Sequence, residues 1–325
     1  MANVLVVGGA GYVGGAVTDL LMGGEHNVRV YDSLLYEEEY RKPVDFVFAD
    51  VRDIACLKPQ LQWADVVVWL AAIVGDGACA ADPELTAEVN EGSVAWLARN
   101  FDRRIIFIST CSVYGAADGI LDEDSALNPL SLYARTKLNA EKHLADSPAV
   151  IFRLGTLFGV SDAHSRIRMD LVVNTLTAKA FFHRRISVFG GDQYRPLLHV
   201  KDVADAIVTS LKTSYTGIFN LHKVNMRIFD LAEHVRRHFP DLEIRRTDVK
   251  FQDNRNYQVS SEKAIHSFGF KPHYTVDEGV GEVKALLVEG RIKNMNSPRY
   301  SNTNFIKTLT TAPRTPLGFE VAKKL

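Results

Sequence analysis

The feature that most limits the fold lies at the very start of the chain. Val4-Leu-Val-Val7 runs into Gly8, Gly11 and Gly14, and a helical apolar pattern follows at once through Ala10, Val13, Val17, Leu20 and Leu21. A short run with no polar member reads as a strand covered on both faces, the situation of a parallel strand between two layers of helix. A strand that passes directly into a helix needs a tight turn, which Gly8 permits. Gly11 lets a ligand approach the backbone, and Gly14 lets helix and strand pack closely. The helix start, with Tyr12 and Val13, then presents unpaired N–H groups and a positive dipole end at the same place. The spacing is one residue wider than the usual Gly-x-Gly-x-x-Gly, yet its setting between a buried strand and a helix predicts a bound dinucleotide.

The next elements fit that reading. Asn27 to Tyr31 is a second strand ending at Asp32, whose carboxylate accepts from adenosine ribose hydroxyls and repels a 2′-phosphate, favouring NAD over NADP. Val44 to Phe48 is a third strand, after which Asp50 is placed to accept from the adenine amine and the Val51 backbone to read the ring edge. Asp65 to Ala71 is a fourth, and the small residues around Leu70, Ala71 and Ala72 let the backbone approach the nicotinamide-side ribose. A long helix spans Pro83 to Phe101 and carries Asn90; Arg104 to Ile108 is a fifth strand, leading into Ser109 and Thr110. Strands alternating with helices at this rhythm predict an α/β fold, a Rossmann-type doubly wound parallel sheet, with ligands at the carboxyl ends of the strands.

The chemistry gathers after strand five. Thr110-Cys-Ser112-Val-Tyr114 is rich in hydroxyls, and the next helix carries Tyr133-x-x-x-Lys137. Residues four apart share one helix face. A phenol has a pKa of about 10 and is a poor base at neutral pH. A neighbouring ammonium and an oxidised nicotinamide both favour the phenolate, so Tyr133 is expected to act as base. Lys137 lowers its pKa and holds the nicotinamide ribose, while Thr110 orients the substrate oxygen.

Composition narrows the partners. A net charge of -1 over 325 residues gives no case for nucleic acid or an acidic membrane surface. Cys56, Cys79 and Cys111 are odd in number and not in metal spacing, as in a reduced cytosolic protein. His164, His199 and His222 lack ligand spacing, so no metal is expected. The apolar run Val66 to Val74 is too short to span a bilayer. A basic n-region is missing, and a cytoplasmic location follows as the expectation.

From Gly8-x-x-Gly11-x-x-Gly14 through Tyr133-x-x-x-Lys137 to Arg195-Pro-Leu-Leu-His199-Val-Lys-Asp202, the chain resembles the extended short-chain dehydrogenase/reductases of the NAD-dependent epimerase/dehydratase family. The resemblance implies NAD as cofactor and a nucleotide-diphosphate sugar as substrate. It places Thr110, Tyr133 and Lys137 in the catalytic roles and gives Asn90 the task of buttressing the active site. It sets Ser109 beside the cofactor and Ser112 beside the sugar, and assigns Asn174, Arg195 and Arg255 to the substrate diphosphate. Dehydratases of the family carry Thr-Asp-Glu where this chain has Thr110-Cys111-Ser112, so loss of water is not expected. The resemblance also implies a homodimer through helices of residues 83–101 and 131–146.

The second half supplies Ala149 to Leu154 as strand six, a helix opening at Ser165 and ending near Phe182, a strand at Ile186 to Phe189, a helix from Asp202 to Leu211, a strand at Ile218 to Leu221, and a helix from Arg227 to Phe239. Residues 1–160, with 190–225 returning to them, form the NAD-binding part, and residues 161–290 form a smaller mixed α/β substrate-binding region. Residues 291–325 form a polar tail, expected to lie over the surface or wrap a neighbour, with no assigned chemistry. The expected activity is epimerisation at C4 of the sugar through a 4-keto intermediate. A sugar 4-dehydrogenase or 4-ketoreductase is the alternative, with a reductase of apolar substrates or a non-catalytic NAD sensor behind it.

Overall fold

The computed structural model describes residues 1–247 and 256–311. Its centre is a seven-stranded parallel sheet. The strands are β1 (Asn3–Val7), β2 (Asn27–Asp32), β3 (Asp45–Phe48), β4 (Val66–Trp69), β5 (Arg104–Thr110), β7 (Ala149–Leu154) and β11 (Gly217–Leu221), in the order β11-β7-β5-β4-β1-β2-β3. The order reverses between β1 and β4, which opens a crevice at their carboxyl ends. Helices α1 (Tyr12–Met22) and α8 (Val200–Ser210) cover one face. The other face is covered by α2 (Ile54–Trp63), α3 (Asp76–Ala81), α4 (Pro83–Ala87), α5 (Ser93–Asn100) and α6 (Leu132–His143). Alternate residues of one strand serve the two layers: Val4 and Val6 point to the first, Leu5 and Val7 to the second, and all four are fully buried.

The helix expected from Pro83 to Phe101 is interrupted. Between α4 and α5 the backbone widens into one π turn, Glu88–Gly92, with Asn90 inside it. Such turns inside α-helices often mark functional positions.

The remaining strands form three small sheets beside the large one. They are β8 (Thr156–Phe158) with β10 (Tyr194–His199) and β12 (Val224–Arg227), β9 (Arg185–Phe189) with β13 (Glu243–Thr247), and β6 (Ala116–Leu121) with β14 (Asn256–Val259). Helices α7 (Val172–His183), α9 (Ile228–His238), α10 (Glu262–Phe268) and α11 (Val276–Val288) complete this half. Its own core unites Phe158, Val173, Ile186, Leu197, Leu231 and Val280.

Two expectations change here. The stretch from Ser165 to Leu171 is not helical. The Asp162 carboxylate accepts from the backbone N–H groups of His164 and Ser165, and the N–H of Met169 goes to the Tyr300 carbonyl at 2.9 Å, so α7 begins only at Val172. The tail, too, is more than a surface covering: it forms α12 (Asn302–Thr311), with Ile306 1% and Asn302 4% exposed.

Candidate active site

The glycine turn has the geometry that its spacing predicts. Gly8 sits at φ 85°, and a Cβ there would lie 2.5 Å from the Ala71 nitrogen. At Gly14 a Cβ would lie 2.6 Å from the backbone of Gly8 and Gly9. Gly11 differs, since the one protein atom a Cβ would meet is the Gly8 carbonyl oxygen at 3.3 Å. Gly11 also caps α1, with no side chain bonded to the helix start and no acidic residue in the first turn. The leading N–H groups, Tyr12 and Val13 among them, are thus left for an anion, which fits a pyrophosphate. The Tyr12 side chain faces elsewhere: its hydroxyl donates to the Gly159 carbonyl at 2.9 Å and fastens α1 to the second half.

Asp32 closes β2. Its carboxylate accepts from the N–H of Ala10 at 3.0 Å and of Leu34 at 2.8 Å, and burial raises its pKa despite those bonds. Leu34 is held at φ 50°, a costly conformation for a branched side chain that marks this loop as constrained. Next to it a cavity of about 790 Å³ is lined by Ser33, Asp50, Val51, Glu88 and Trp96. Its volume suits a base and its ribose. The Asp50 carboxylate is already engaged by the Arg52 guanidinium at 2.9 and 3.1 Å, so a ligand there shares it with a cation.

At the other end of the crevice lies the hydroxyl cluster. Thr110 ends β5, is 7% exposed, and accepts from the Ser112 N–H at 3.1 Å, while its hydroxyl faces the Tyr133 phenol. Tyr133 stands on α6. Burial, helped by the nearby Cys79, pushes its phenol well above the ordinary value, while the Arg168 charge and the Thr110 hydroxyl pull it back. Arg168, from the loop before α7, is the cation that lowers the phenol most. Lys137 is itself 3% exposed, with its ammonium 4.1 Å from the centre of the Phe107 ring, and burial holds it down at about 7.

Asn90 lies in the π turn and is bonded on three sides. Its amide accepts from the Ile73 N–H at 2.7 Å and donates to the Ile73 carbonyl at 2.9 Å and to Thr136 at 3.3 Å, pinning the segment after β4 to α6. It is 1% exposed, so its amide shapes the wall from behind. Leu70 and Ala71 lie on that wall, both donating N–H groups to the Val7 carbonyl, at 2.7 and 2.9 Å, with Ala72 following. Ser109 turns the other way. Its hydroxyl donates to Glu141, which also holds Arg153 through the guanidinium at 2.7 Å beneath the sheet end. The cofactor role expected of the Ser109 hydroxyl is thus corrected to a structural one, because alternate residues of a strand face opposite sides.

One of the substrate residues moves as well. Asn174 is fully buried. Its oxygen accepts from the Gly159 N–H at 3.0 Å, and its nitrogen donates to the carbonyls of Gly159 and Arg168 at 3.0 and 2.8 Å. Every polar atom is used, so it locks two loops and has nothing left for a diphosphate. Ser112 is 7% exposed and faces the Tyr257 hydroxyl at 3.4 Å. Arg195, on β10, is 6% exposed and donates to the Tyr194 carbonyl at 2.8 Å. Arg255 lies outside the described residues.

With this geometry in hand, comparison with known proteins gives a consistent answer. Residues 4–221 match the NAD dependent epimerase/dehydratase family. The chain belongs to that family. It is 25% identical over 308 residues to a putative UDP-glucose 4-epimerase of Methanocaldococcus jannaschii, covering 86% of this chain and 96% of that one. It is 26% identical over 309 residues to the UDP-glucose 4-epimerase of Corynebacterium glutamicum, covering 84% and 92%. Among solved structures it resembles the Thermotoga maritima UDP-glucose 4-epimerase with UDP-glucose, at TM-score 0.78 and 20% identity, over 89% of this chain and 100% of that one. It also resembles the Bacillus cereus UDP-glucuronic acid 4-epimerase with UDP-glucuronic acid and NAD, at TM-score 0.77 and 23% identity, over 88% and 99%.

As a member of the NAD-dependent epimerase/dehydratase family, this chain uses NAD, and its glycine turn, Asp32 and neighbouring cavity would hold the dinucleotide. Sequence reading missed Arg168, which faces the Tyr133 phenol. The signal for Arg168 was present in Arg166-Ile-Arg168-Met-Asp170, two arginines and an acid at alternate positions, but a helix was expected there. No helix of the described residues is long and apolar enough to cross a membrane, and no group of three or more His, Cys, Asp or Glu among them could hold a metal ion.

Proposed function

We propose that this protein is a nucleotide-sugar 4-epimerase working through a 4-keto intermediate. The observation that carries the reading is the pairing of the Thr110 hydroxyl and the Tyr133 phenol at the carboxyl end of β5, beside the dinucleotide crevice. In the reaction, Tyr133 takes the proton of the C4 hydroxyl while Thr110 donates to the same oxygen. When bound, NAD would supply the hydride acceptor for C4 and a positive charge that favours the phenolate. Tyr133 then returns its proton to the same oxygen once the keto-sugar has turned its other face to the cofactor side, which inverts C4. Arg168 supports the phenolate from the far wall, and Lys137, one turn along α6 from Tyr133, would hold the nicotinamide ribose hydroxyls.

Dehydration needs an acid pair after Thr110, and this chain offers Cys111 and Ser112. Cys111 is fully buried, with its thiol directed to the Arg153 carbonyl at 3.2 Å and its pKa pushed up by burial. It cannot protonate a leaving hydroxyl in the crevice, which favours epimerisation over loss of water. Arg195 belongs to the same proposal as a clamp for the substrate diphosphate, as its fork geometry suits phosphate.

The test is to incubate the purified protein with UDP-, GDP-, CDP- and dTDP-sugars while following C4 configuration and NADH absorbance together. Interconversion of a C4 pair without net NADH is the expected result. Stoichiometric NADH with a released keto-sugar would instead identify a 4-dehydrogenase. A homodimer through helices 83–101 and 131–146 is proposed with it, and sedimentation at the mass of two chains checks that.

A further inference from the structure

Helix α12 touches both walls of the crevice. On the nucleotide side the Asn302 side-chain nitrogen donates to the Val74 carbonyl at 2.8 Å, and the Phe305 ring lies 5.1 Å from Tyr36. Arg299, just before the helix, pairs with Glu37 at 3.2 Å. Thr303 packs so closely on Gly77 that a Cβ there would stand 2.6 Å from its hydroxyl. On the substrate side, the backbone N–H of Asn302 donates to Asp170 at 2.8 Å, and its side-chain oxygen accepts from Arg166. Asp170 in turn grips Arg168 at 2.9 Å. One residue, 4% exposed, thus ties three separate points of the two walls together.

We propose that residues 298–311, latched by Asn302, form a strap that holds the Arg166–Asp170 loop closed over the catalytic edge and keeps the oxidised sugar and reduced cofactor in place between the two hydride transfers. The proposal rests on the epimerase reading. An epimerase must let the keto-sugar turn over without leaving, whereas a dehydrogenase has to release it each cycle. A strap built on polar contacts suits the first task, because its hydrogen bonds can open together for entry and reform once the sugar is inside. The apolar anchor Ile306, 1% exposed in the core beneath, keeps the helix attached while the latch opens.

The experiment compares the full chain with Asn302→Ala and with a chain ending at Ser297. Each is loaded with NADH, and release into excess NAD is followed by stopped-flow fluorescence. Losing the two side-chain latch bonds, to Val74 and Arg166, while the backbone bond to Asp170 remains, should speed release about tenfold or more in Asn302→Ala, and further in the shortened chain. With a turned-over sugar nucleotide, free keto-sugar per epimerisation event should rise in the same order. An unchanged release rate in Asn302→Ala overturns the strap. If the full chain epimerises and neither release nor partition moves, the strap fails while the epimerase reading stands. If the full chain interconverts no C4 pair, that reading fails, and the NADH release rates alone decide for or against the strap.

Discussion

The two walls of the crevice are built in different ways. On the nucleotide wall Asp32 and Thr110 stand at strand ends, with Tyr133 on the helix α6 packed against the sheet, and parallel register fixes the strand ends relative to one another: Val7 pairs with Trp69, and Thr110 with Leu154. On the substrate wall the charged groups sit on the loop between β8 and α7, which has no ladder of its own. Each wall is pinned by one buried asparagine, Asn90 on Ile73 and Asn174 on Gly159 and Arg168. The same amide chemistry serves both, but only in the second case does it determine where a charge lies. Chemistry carried on the sheet is inherited from the fold; chemistry carried on the loop depends on side chains reaching in from elsewhere.

The sharpest probe of the first wall is Tyr133→Phe. Removing the base should lower turnover by about 10²- to 10⁴-fold, with NAD binding unchanged by fluorescence titration. Retention of normal turnover would reject the base assignment.

Lys137→Met gives the next largest effect, and in the opposite direction for stability. Burial depresses the lysine from 10.5 to about 7 in the folded protein. Between those values the native chain binds fewer protons than the unfolded chain, so its stability rises with pH across that window and the burial cost is fully present below it. In the cofactor-free protein, Lys137→Met should stabilise by on the order of 2–4 kcal/mol at pH 6, and by little at pH 10. Denaturant titrations at the two pH values measure the difference, while turnover falls. If wild type and variant keep the same gap at both pH values, the lysine is charged in the fold and the assignment is wrong.

Cutting the two pins compares the walls directly. Asn90→Ala and Asn174→Ala each strand buried backbone groups, at roughly 2–3 kcal/mol apiece. The expected split lies in function. Asn174→Ala frees the Arg168 carbonyl and should raise KM for the sugar nucleotide while sparing NAD. Asn90→Ala loosens the Ile73 segment and should weaken NAD as well. Equal effects on both ligands would erase the distinction between the walls.

How far the sequence reaches follows from the same contrast. The glycine turn, Asp32, Thr110 and Tyr133 were legible because apolar runs reveal buried strands, and ligand positions in such sheets lie at their carboxyl ends. The facing of Ser109 was not, since a strand end offers two sides and only the Glu141 and Arg153 pair beneath shows which one its hydroxyl takes. Asn174 was misplaced because a polar residue near a helix start looks alike whether it binds a ligand or locks a loop. Nor could spacing reveal that Asn302 meets Arg166 and Asp170 across more than a hundred residues. The width of the π turn at Asn90 is likewise invisible to a periodicity of 3.6.

The smallest expected effect tests whether the loop governs the base on the opposite wall. Facing the Tyr133 phenol are Cys79 and Asp76 from α3, which raise its pKa, and Thr110 from β5 and Arg168 from the loop, which lower it. Lys137 lies on the same helix, directed at Phe107. Arg168→Met removes the one cation among those facing groups, so the phenolate loses support and the ascending limb of the pH–rate profile should move to higher pH by roughly one unit. Asp170, paired with Arg168 at 2.9 Å, is then left near the site and adds to the upward shift. Arg168→Lys keeps a charge there and should recover part of the displacement. A merely structural role would lower the plateau rate and leave the midpoint where it was, so the position of that limb, more than its height, tells whether one wall tunes the other.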